Sequence, residues 1–329
     1  MQRPHSLSLR RRAWLALAAG ALASPWAAAQ DASARPLRLL VAGPAGGSAD
    51  IVARLVAEPL SRELGRPVIV DPKPGAAGAI AVGELLQATA DGNTLLVGVN
   101  SLVSEIPHIV KLRWDMAKAV RPLAELARGG LVLVAHPSVP AATVPELVAY
   151  AKAHPGKLSY ASYSPGTMSH VLGVILNRAA GIELLHVGYK GSTPALADVM
   201  GGHVPLMFDG LATSLPLVRG GKLKVLAVST PQRVPQLPAV PTFREAGYPQ
   251  MEATAWLGLW TAPEVPAATQ ARIRAATLKV LADAALRTKL LETGFEAGGP
   301  RSTEDLAREL HSDYERVGAV LKSVGFRPE

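Results

Sequence analysis

Cysteine is absent from all 329 residues of the chain. That excludes a disulfide scaffold, thiolate ligation of zinc or iron–sulfur clusters, and a cysteine nucleophile. Charged residues are few, at 18%, against 49% hydrophobic, so a disordered or tail-like chain is excluded too. Beyond the first 29 residues no segment offers 18 continuous apolar residues, so the rest of the chain reads as soluble. The eight histidines show no H-E-x-x-H or comparable ligand spacing, which speaks against a metal site. There is no G-x-S-x-G elbow, no G-x-x-x-x-G-K-[ST] loop and no G-x-G-x-x-G. The length suggests about two domains.

The N-terminus reads as an address. Residues 1–29 contain Arg3, Arg10, Arg11 and Arg12 and no acid, followed by the apolar stretch Ala13 to Ala23 and then Ala27-Ala28-Ala29. This is the layout of a cleavable export signal, and the run is short of the ~20 residues of a spanning anchor. Arg11-Arg12-Ala13-Trp14-Leu15 resembles a twin-arginine signal, but Arg10 stands where Ser or Thr is usual, so both export routes stay open. Removal of the four arginines takes the formal charge from +8 to +4. The remaining Lys and Arg form no dense stripe with aromatics beside them, so nucleic-acid binding loses its support.

Short strand-like runs recur at Leu37–Ala42, Val68–Asp71, Thr94–Val99, Leu131–Ala135, Leu158–Ala161, Val204–Phe208, Val225–Ser229 and Trp256–Thr261. Helical patterns lie between many of them. Ile51, Val52, Leu55, Val56 and Leu60 make one apolar stripe that stops at Gly65. Thr143 with Glu146, and Thr242 with Glu245, have capping-box spacing. Ala267–Ala282 and Thr303–Ser323 read as long amphipathic helices. The alternation predicts an α/β protein with parallel sheets covered by helices. The turns near His136–Pro140 and Pro231–Pro241 are the expected crossings between two domains with a cleft between them.

Three strand-to-helix loops are suited to gripping an anion. Gly43-Pro44-Ala45-Gly46-Gly47-Ser48-Ala49-Asp50 can turn successive N–H groups inward at a helix N-terminus, with Ser48 the expected N-cap. Tyr160 to His170 crowds hydroxyls at a second helix start. Gly188 to Ala195 opens a third, with Thr193 as expected N-cap, Pro194 at the first helical position and Lys190 just upstream. Each loop taken alone is equally readable as a turn without a ligand. Three in one chain argue for a cleft that grips an anion. Ser162, His170 and Asp209 invite a catalytic triad, but without an elbow motif cap and packing roles are the simpler reading.

The chain resembles the periplasmic substrate-binding receptors of tripartite tricarboxylate transporters, the Bug-type family. The resemblance runs from about Arg35 to Phe326 and is carried by Val41 to Asp50, Pro74-Gly75-Ala76-Ala77-Gly78, Ala90 to Leu96, Ala151 to Leu158, Tyr160-Ala161-Ser162 with Gly166 to His170, Tyr189 to Leu196, Gly201 to Val204 with Phe208-Asp209, Gly221 to Val228, and Val240-Pro241-Thr242 with Glu245-Ala246-Gly247. It implies an α/β fold of two lobes, a type II-like clamshell with each lobe a sheet flanked by helices. The expected layout is a signal peptide at 1–29, one lobe from 30–132 and 232–329, and the other from 133–231. It departs from the family at Ile106-Pro107-His108-Ile109-Val110-Lys111, where an Asn-Pro pair, an aromatic and an acid are common, and at Ser164-Pro165.

The implied function is a periplasmic receptor, not an enzyme, that captures a small organic carboxylate and delivers it to membrane permease subunits. The ligand is a di- or tricarboxylate, an aromatic acid or an acidic amino acid. No cofactor or metal is expected, nor a nucleic-acid partner, and the receptor is expected to be a monomer. Gly46, Gly47 and Ser48 on one lobe, and Ser162, Gly166, Thr167 and Ser169 on the other, are the expected carboxylate grip. Asp50, His170, Lys190, Gly191, Ser192 and Asp209 complete the candidate site. Asp209 has two readings, a partner for a ligand ammonium or an acid that holds its own loop. Signalling to a sensor kinase and a periplasmic hydrolase using Ser162 or Ser169 are the alternatives.

Overall fold

The computed structural model describes residues 35–323, and the export-signal reading of residues 1–29 lies outside them. In chain order the elements are β1 (Leu37–Val41), α1 (Ser48–Leu64), β2 (Val68–Pro72), α2 (Ala79–Gln87), β3 (Thr94–Val99), α3 (Ser101–Ser104), α4 (Met116–Ala119), β4 (Arg121–Ala135), α5 (Val144–Ala153), β5 (Ser159–Ser162), α6 (Met168–Ala180), β6 (Leu185–Gly188), α7 (Ser192–Met200), β7 (Leu206–Gly210), α8 (Leu211–Arg219), β8 (Lys224–Val228), β9 (Thr254–Thr261), α9 (Ala267–Leu281), α10 (Ala284–Glu292), β10 (Glu296–Ala297) and α11 (Thr303–Ser323). The α/β class holds.

The sheet runs β2-β1-β3-β9-β4-β7-β5-β6, with β8 and β10 also on β4. Its flanks are parallel, β2-β1-β3 on one side and β7-β5-β6 on the other. Its centre corrects the expectation of parallel sheets, since β9 is antiparallel to both β3 and β4, and β7 and β8 are antiparallel to β4. The reason is topological. β4 carries the chain from the first flank to the second and β9 brings it back, so the two neighbours run in opposite directions.

Each flank has a core on both faces. In β1 the pleat sends Leu37, Leu39 and Val41 to one side, with Val52, Val56 and Leu60 of α1, and Leu40 to the other, with α2 and the stacked Trp256 and Trp260. In the second flank Leu131 and Leu133 pack with Tyr160 and Phe208, while Val132 and Val134 face α7 and α8. α11 joins the two, with Leu306 and Leu310 in the first core and Val317 and Leu321 in the second. At the end of α1 the apolar stripe stops as expected. Gly65 takes φ 64°, and Arg66 N–H donates to Ser61 O, closing the helix in a Schellman turn.

The outward crossing lies inside β4. Arg121–Gly130 pairs with β9, and Leu131–Ala135 pairs with β7 and β8. The return segment is stitched to it by Ser229, which is fully buried. Its hydroxyl accepts from Leu131 N–H (2.8 Å) and donates to Ala253 O (2.7 Å), while its N–H donates to Leu131 O (2.8 Å). The two chain segments approach so closely that a Cβ on Gly130 would collide with Thr230 Cγ2 and lie 3.1 Å from Thr230 N. Gly130→Val is therefore expected to lower stability by about 1–3 kcal/mol through overpacking against backbone, read as an earlier midpoint in urea unfolding.

Candidate functional site

A cavity of about 420 Å3 opens where the two flanks of the sheet face one another across the crossing. Its lining includes Gly129, Gly130 and Leu131 at the crossing itself. Five helices begin at it. The N-cap residues of α1, α2, α6, α7 and α8 are Gly47, Gly78, Thr167, Gly191 and Gly210, all on the cavity wall, and none provides a side-chain cap. Of the helices that begin elsewhere, α5 and α10 use such caps: Thr143 accepts from Glu146 N–H on α5, and Asp283 accepts from Leu286 N–H on α10. An uncapped N-terminus leaves N–H donors and the positive end of the helix dipole for whatever enters the cavity.

The openings meet directly. A Cβ on Gly191 would overlap the Pro44 ring, and one on Gly210 would lie 2.6 Å from Ser48 Oγ. Thr193 Oγ1 donates to Ala45 O (3.2 Å), and Gly191 N–H donates to Tyr163 O (2.7 Å). These contacts gather the starts of α1, α7 and α8 beside Lys190, an exposed residue that also lines the cavity. Gly191, at φ 118°, has a conformation that L side chains rarely adopt, so glycine is required there on two counts.

The structure sorts the candidate residues into two groups. Gly47, Ser48, Thr167, Lys190, Gly191 and Ser192 line the cavity. The others lie outside the lining. Gly46, at φ 74°, donates its N–H to Asp50 Oδ2 (2.9 Å), and that buried carboxylate also pairs with Arg54 (2.8 Å), so Asp50 shapes the first loop from below. Ser169 is fully buried, donates its hydroxyl to Phe208 O and accepts Tyr163 N–H. Gly166 N–H donates to His170 Nδ1 (3.2 Å). Ser162, also fully buried, is hydrogen-bonded to His186 (Oγ to Nε2, 2.7 Å). The His186 ring stacks on that of His170 with centroids 3.8 Å apart. Burial lowers the His170 pKa to about 3, helped by its neighbour, and that of His186 to about 4, so both are neutral near pH 7.

Asp209 is fully buried and lies outside the cavity lining. Its carboxylate accepts hydroxyls from Ser192 (2.6 Å), Thr213 (2.6 Å) and Ser214 (2.7 Å). Burial raises its pKa against the pull of these bonds. Of its two readings, the acid that holds its own loop is the one this geometry favours. Ser162, His170 and Asp209 form no triad, because Ser162 pairs with His186 and Asp209 with hydroxyls. Two helix starts shift by a residue or more from expectation. Gly47, extended at φ −77° and ψ 166°, takes the N-cap position expected of Ser48, and Gly191 precedes Ser192, which places Pro194 third in α7.

Two parts of the wall entered the family comparison through Gly75–Gly78 and Ile106–Val110 but were not among the expected site residues. One is the Gly75–Gly78 turn, where Ala76 and Ala77 both have positive φ, 47° and 50°. Two successive alanines in the left-handed region store strain on the order of 1–3 kcal/mol each. The Pro-Gly-Ala-Ala-Gly run after a strand is a turn signal of the same kind as the other loops. The other is an apolar wall of Val99, Leu102, Ile106, Val110, Trp256 and Leu257, which carries no motif. Beside it, Glu105 is fully buried, with Ser104 donating to Oε2 and no hydrogen-bond partner for Oε1.

The arrangement and the fold define a solute-binding protein. Comparison with known proteins agrees. The family model for the tripartite tricarboxylate transporter family receptor, TctC, matches residues 52–326, and the chain belongs to that family. It is 35% identical to a UPF0065 protein of Bordetella bronchiseptica over 96% of this chain and 95% of that one. It is 30% identical to BugT of Bordetella pertussis, over 94% and 95%. Among solved structures it resembles the periplasmic binding protein BugD (29% identity, TM-score 0.85, 90% of this chain and 99% of that one). It also resembles R. palustris Rpa4515 with adipate (31%, 0.85, 90% and 99%) and MatC of Rhodopseudomonas palustris with bound malate (29%, 0.82, 87% and 99%).

Glu105 gives the site a pH signature. Burial raises its pKa to about 7, with Asp313 adding to the rise and Ser104 and Arg316 opposing it. Between the ordinary value of 4.5 and about 7 the folded protein therefore holds a proton that the unfolded chain has released. Its contribution to stability falls as pH rises through that window, by roughly 3 kcal/mol in all at 1.36 kcal/mol per unit. The two depressed histidines act in the opposite sense below pH 6.5, so the quantity to read is the difference between variant and parent. Glu105→Gln is expected to gain on the parent steadily from pH 5 to 7.5 in urea midpoints, and no gain would mean that Glu105 is ionised at pH 5.

Proposed function

We propose that this chain is a periplasmic receptor that captures a small carboxylate and presents it to the permease subunits of a tripartite tricarboxylate transporter. The observation that carries the reading is the set of five uncapped helix N-termini opening on one cavity beside Lys190. A carboxylate placed there accepts charge-assisted hydrogen bonds worth about 1.5–3 kcal/mol each before ordering costs. Gly47, Ser48 and Lys190 with Thr167, Gly191 and Ser192 form the grip. Gly46, Asp50, Ser162, Gly166, Ser169, His170 and Asp209 hold the loops in shape. Family membership and the carboxylates named in the structures of Rpa4515 and MatC support the ligand class.

The two sheet flanks act as lobes, divided near residues 132 and 232, that close on the ligand. Contacts made only in the closed form drive the motion. The basic, alanine-rich N-terminus supplies export to the periplasm. Ser162 and Ser169, the hydroxyls of the hydrolase alternative, are fully buried with their bonds committed, which gives that reading no support.

The test is a thermal-shift screen of unfolded and refolded protein against carboxylates and neutral sugars. A carboxylate at 100 times its Kd adds about 2.7 kcal/mol of stability and raises the midpoint, whereas a response to sugars alone would overturn the reading. Lys190→Met is expected to weaken carboxylate binding roughly tenfold, since an exposed lysine contributes less than a buried one, while leaving the unliganded midpoint unchanged. Calorimetric titration measures it.

A further inference from the structure

We infer that ligand capture is proton-linked: Glu105, buried behind the cavity wall, takes up a proton as the anion enters, so the receptor holds its ligand more tightly on the acid side of neutrality than on the alkaline side. This rests on the carboxylate-receptor reading and adds to it a regulation by pH that is indifferent to which acid is bound. The placement of Glu105 carries the inference. It closes α3 and is fully buried, while Leu102 before it and Ile106 after it line the cavity. Ile106 is also where the two flanks touch, since a Cβ on Gly166 would lie 2.9 Å from Ile106 Cα. Tyr163, from the same second-flank loop as Gly166, lines the cavity too. Burial raises its phenol pKa, and the charges of Asp209 and Glu105 add to the rise. A carboxyl group with one oxygen, Oε1, lacking any hydrogen-bond partner thus stands directly behind the wall, at a contact between the flanks.

Its surroundings do little to support a charge. From its own segment Ser104 donates to Oε2, and Ser101 acts in the same sense. From α11 Asp313 repels it and Arg316 attracts it, but Arg316 is bound to Asp313 (2.8 Å) and half exposed. Three residues on, His108 Nε2 is hydrogen-bonded to Tyr314 O (2.8 Å), and its ring lies against that of Tyr314, with centroids 4.0 Å apart. Lys111 is exposed, and Lys118 of α4 is exposed and paired with Asp115 (2.9 Å). Burial therefore prevails and pushes the Glu105 pKa up to about 7.

An anion in the cavity makes ionised Glu105 costlier still, because two like charges then share a poorly screened region. Linkage makes the effect reciprocal: if binding favours the protonated carboxyl, the protonated receptor is the better binder. The stacked histidines of the second flank take no part in this range. His170 and His186, at about 3 and about 4, stay neutral well below pH 6.

Calorimetric titration of the refolded protein with adipate, malate, glutamate and benzoate tests the inference, run at pH 6, 7 and 8 in buffers of different ionisation heat. For each acid that binds, affinity is expected to fall about threefold or more from pH 6 to pH 8, the linkage of half a pK unit, with net proton uptake near pH 7. Glu105→Gln is expected to bind as the parent does at pH 6 and to keep that affinity at pH 8. Asp313→Asn, which removes the repelling charge and frees Arg316, is expected to move the fall to lower pH, a result that does not depend on the Glu105 variant folding. An affinity independent of pH in the parent, a slope that Glu105→Gln retains, or a fall that Asp313→Asn leaves in place overturns the inference while the receptor reading stands. A retained slope would put the titration on His108 or Asp209. If none of the four acids binds at any of these pH values, the carboxylate reading falls and takes the inference with it.

Discussion

One strand built into both flanks of the sheet is the constraint on which the rest depends. β4 is paired with β9 and β10 over its first ten residues and with β7 and β8 over its last five. Because it runs out and β9 runs back, the flanks are joined by an antiparallel pair and not by a flexible linker. Ser229 fixes the return segment to Leu131 through both its backbone and its hydroxyl. Gly129 and Gly130 are small because Phe295 and Thr230 press against them. Gly129, Gly130, Leu131 and Phe295 also line the cavity. Binding site and crossing are one place, so any change in the angle between the flanks changes the cavity.

The ends of β4 are secured differently. Arg128 makes paired contacts to Glu125 (2.8 and 2.9 Å) and to Glu309 of α11 (2.9 and 3.1 Å), and Arg301 joins the same two carboxylates. Glu125 is nearly inaccessible, so its charge is balanced by the guanidinium groups around it. This network ties the first part of β4 to α11, the helix whose apolar residues enter the cores of both flanks. The crossing is therefore held laterally by Ser229 and lengthwise by α11.

How much of this was legible depends on how local each signal is. The strand Thr94–Val99 and the helix Thr303–Ser323 read correctly because hydrophobic pattern and end residues agree within each segment. β4 was legible only as Leu131–Ala135. Its first ten residues include Pro122, Glu125, Arg128 and two glycines, break alternation, and pair through two register shifts. β6, Leu185–Gly188, carries no pattern of its own and exists because it adds to β5. Thr242 and Glu245 do exchange both hydrogen bonds of a capping box, yet only a turn follows, since Gly247 at φ 90° and Pro249 leave no room for a helix. A box fixes a first turn; length and a buried face make the helix.

For the site, the glycine-rich loops were legible and the division of labour within them was not. Side chains that look alike in sequence separate by about one residue of register. Gly47 caps α1 and Ser48 faces the cavity, while Asp50, two positions on, turns inward to hold Gly46. Seryl hydroxyls divide the same way: Ser192 lines the cavity, whereas Ser162 and Ser169 are spent on His186 and on Phe208 O. What distinguishes the binding surface is the gathering of five helix N-termini without side-chain caps on one cavity, whereas α5 and α10 elsewhere have caps. Main-chain N–H groups held by buried acids and hydroxyls need no compensating charge when the cavity is empty. That lets the chain present donors to an anion while Lys190 is, among the described residues, the only charged side chain on the wall.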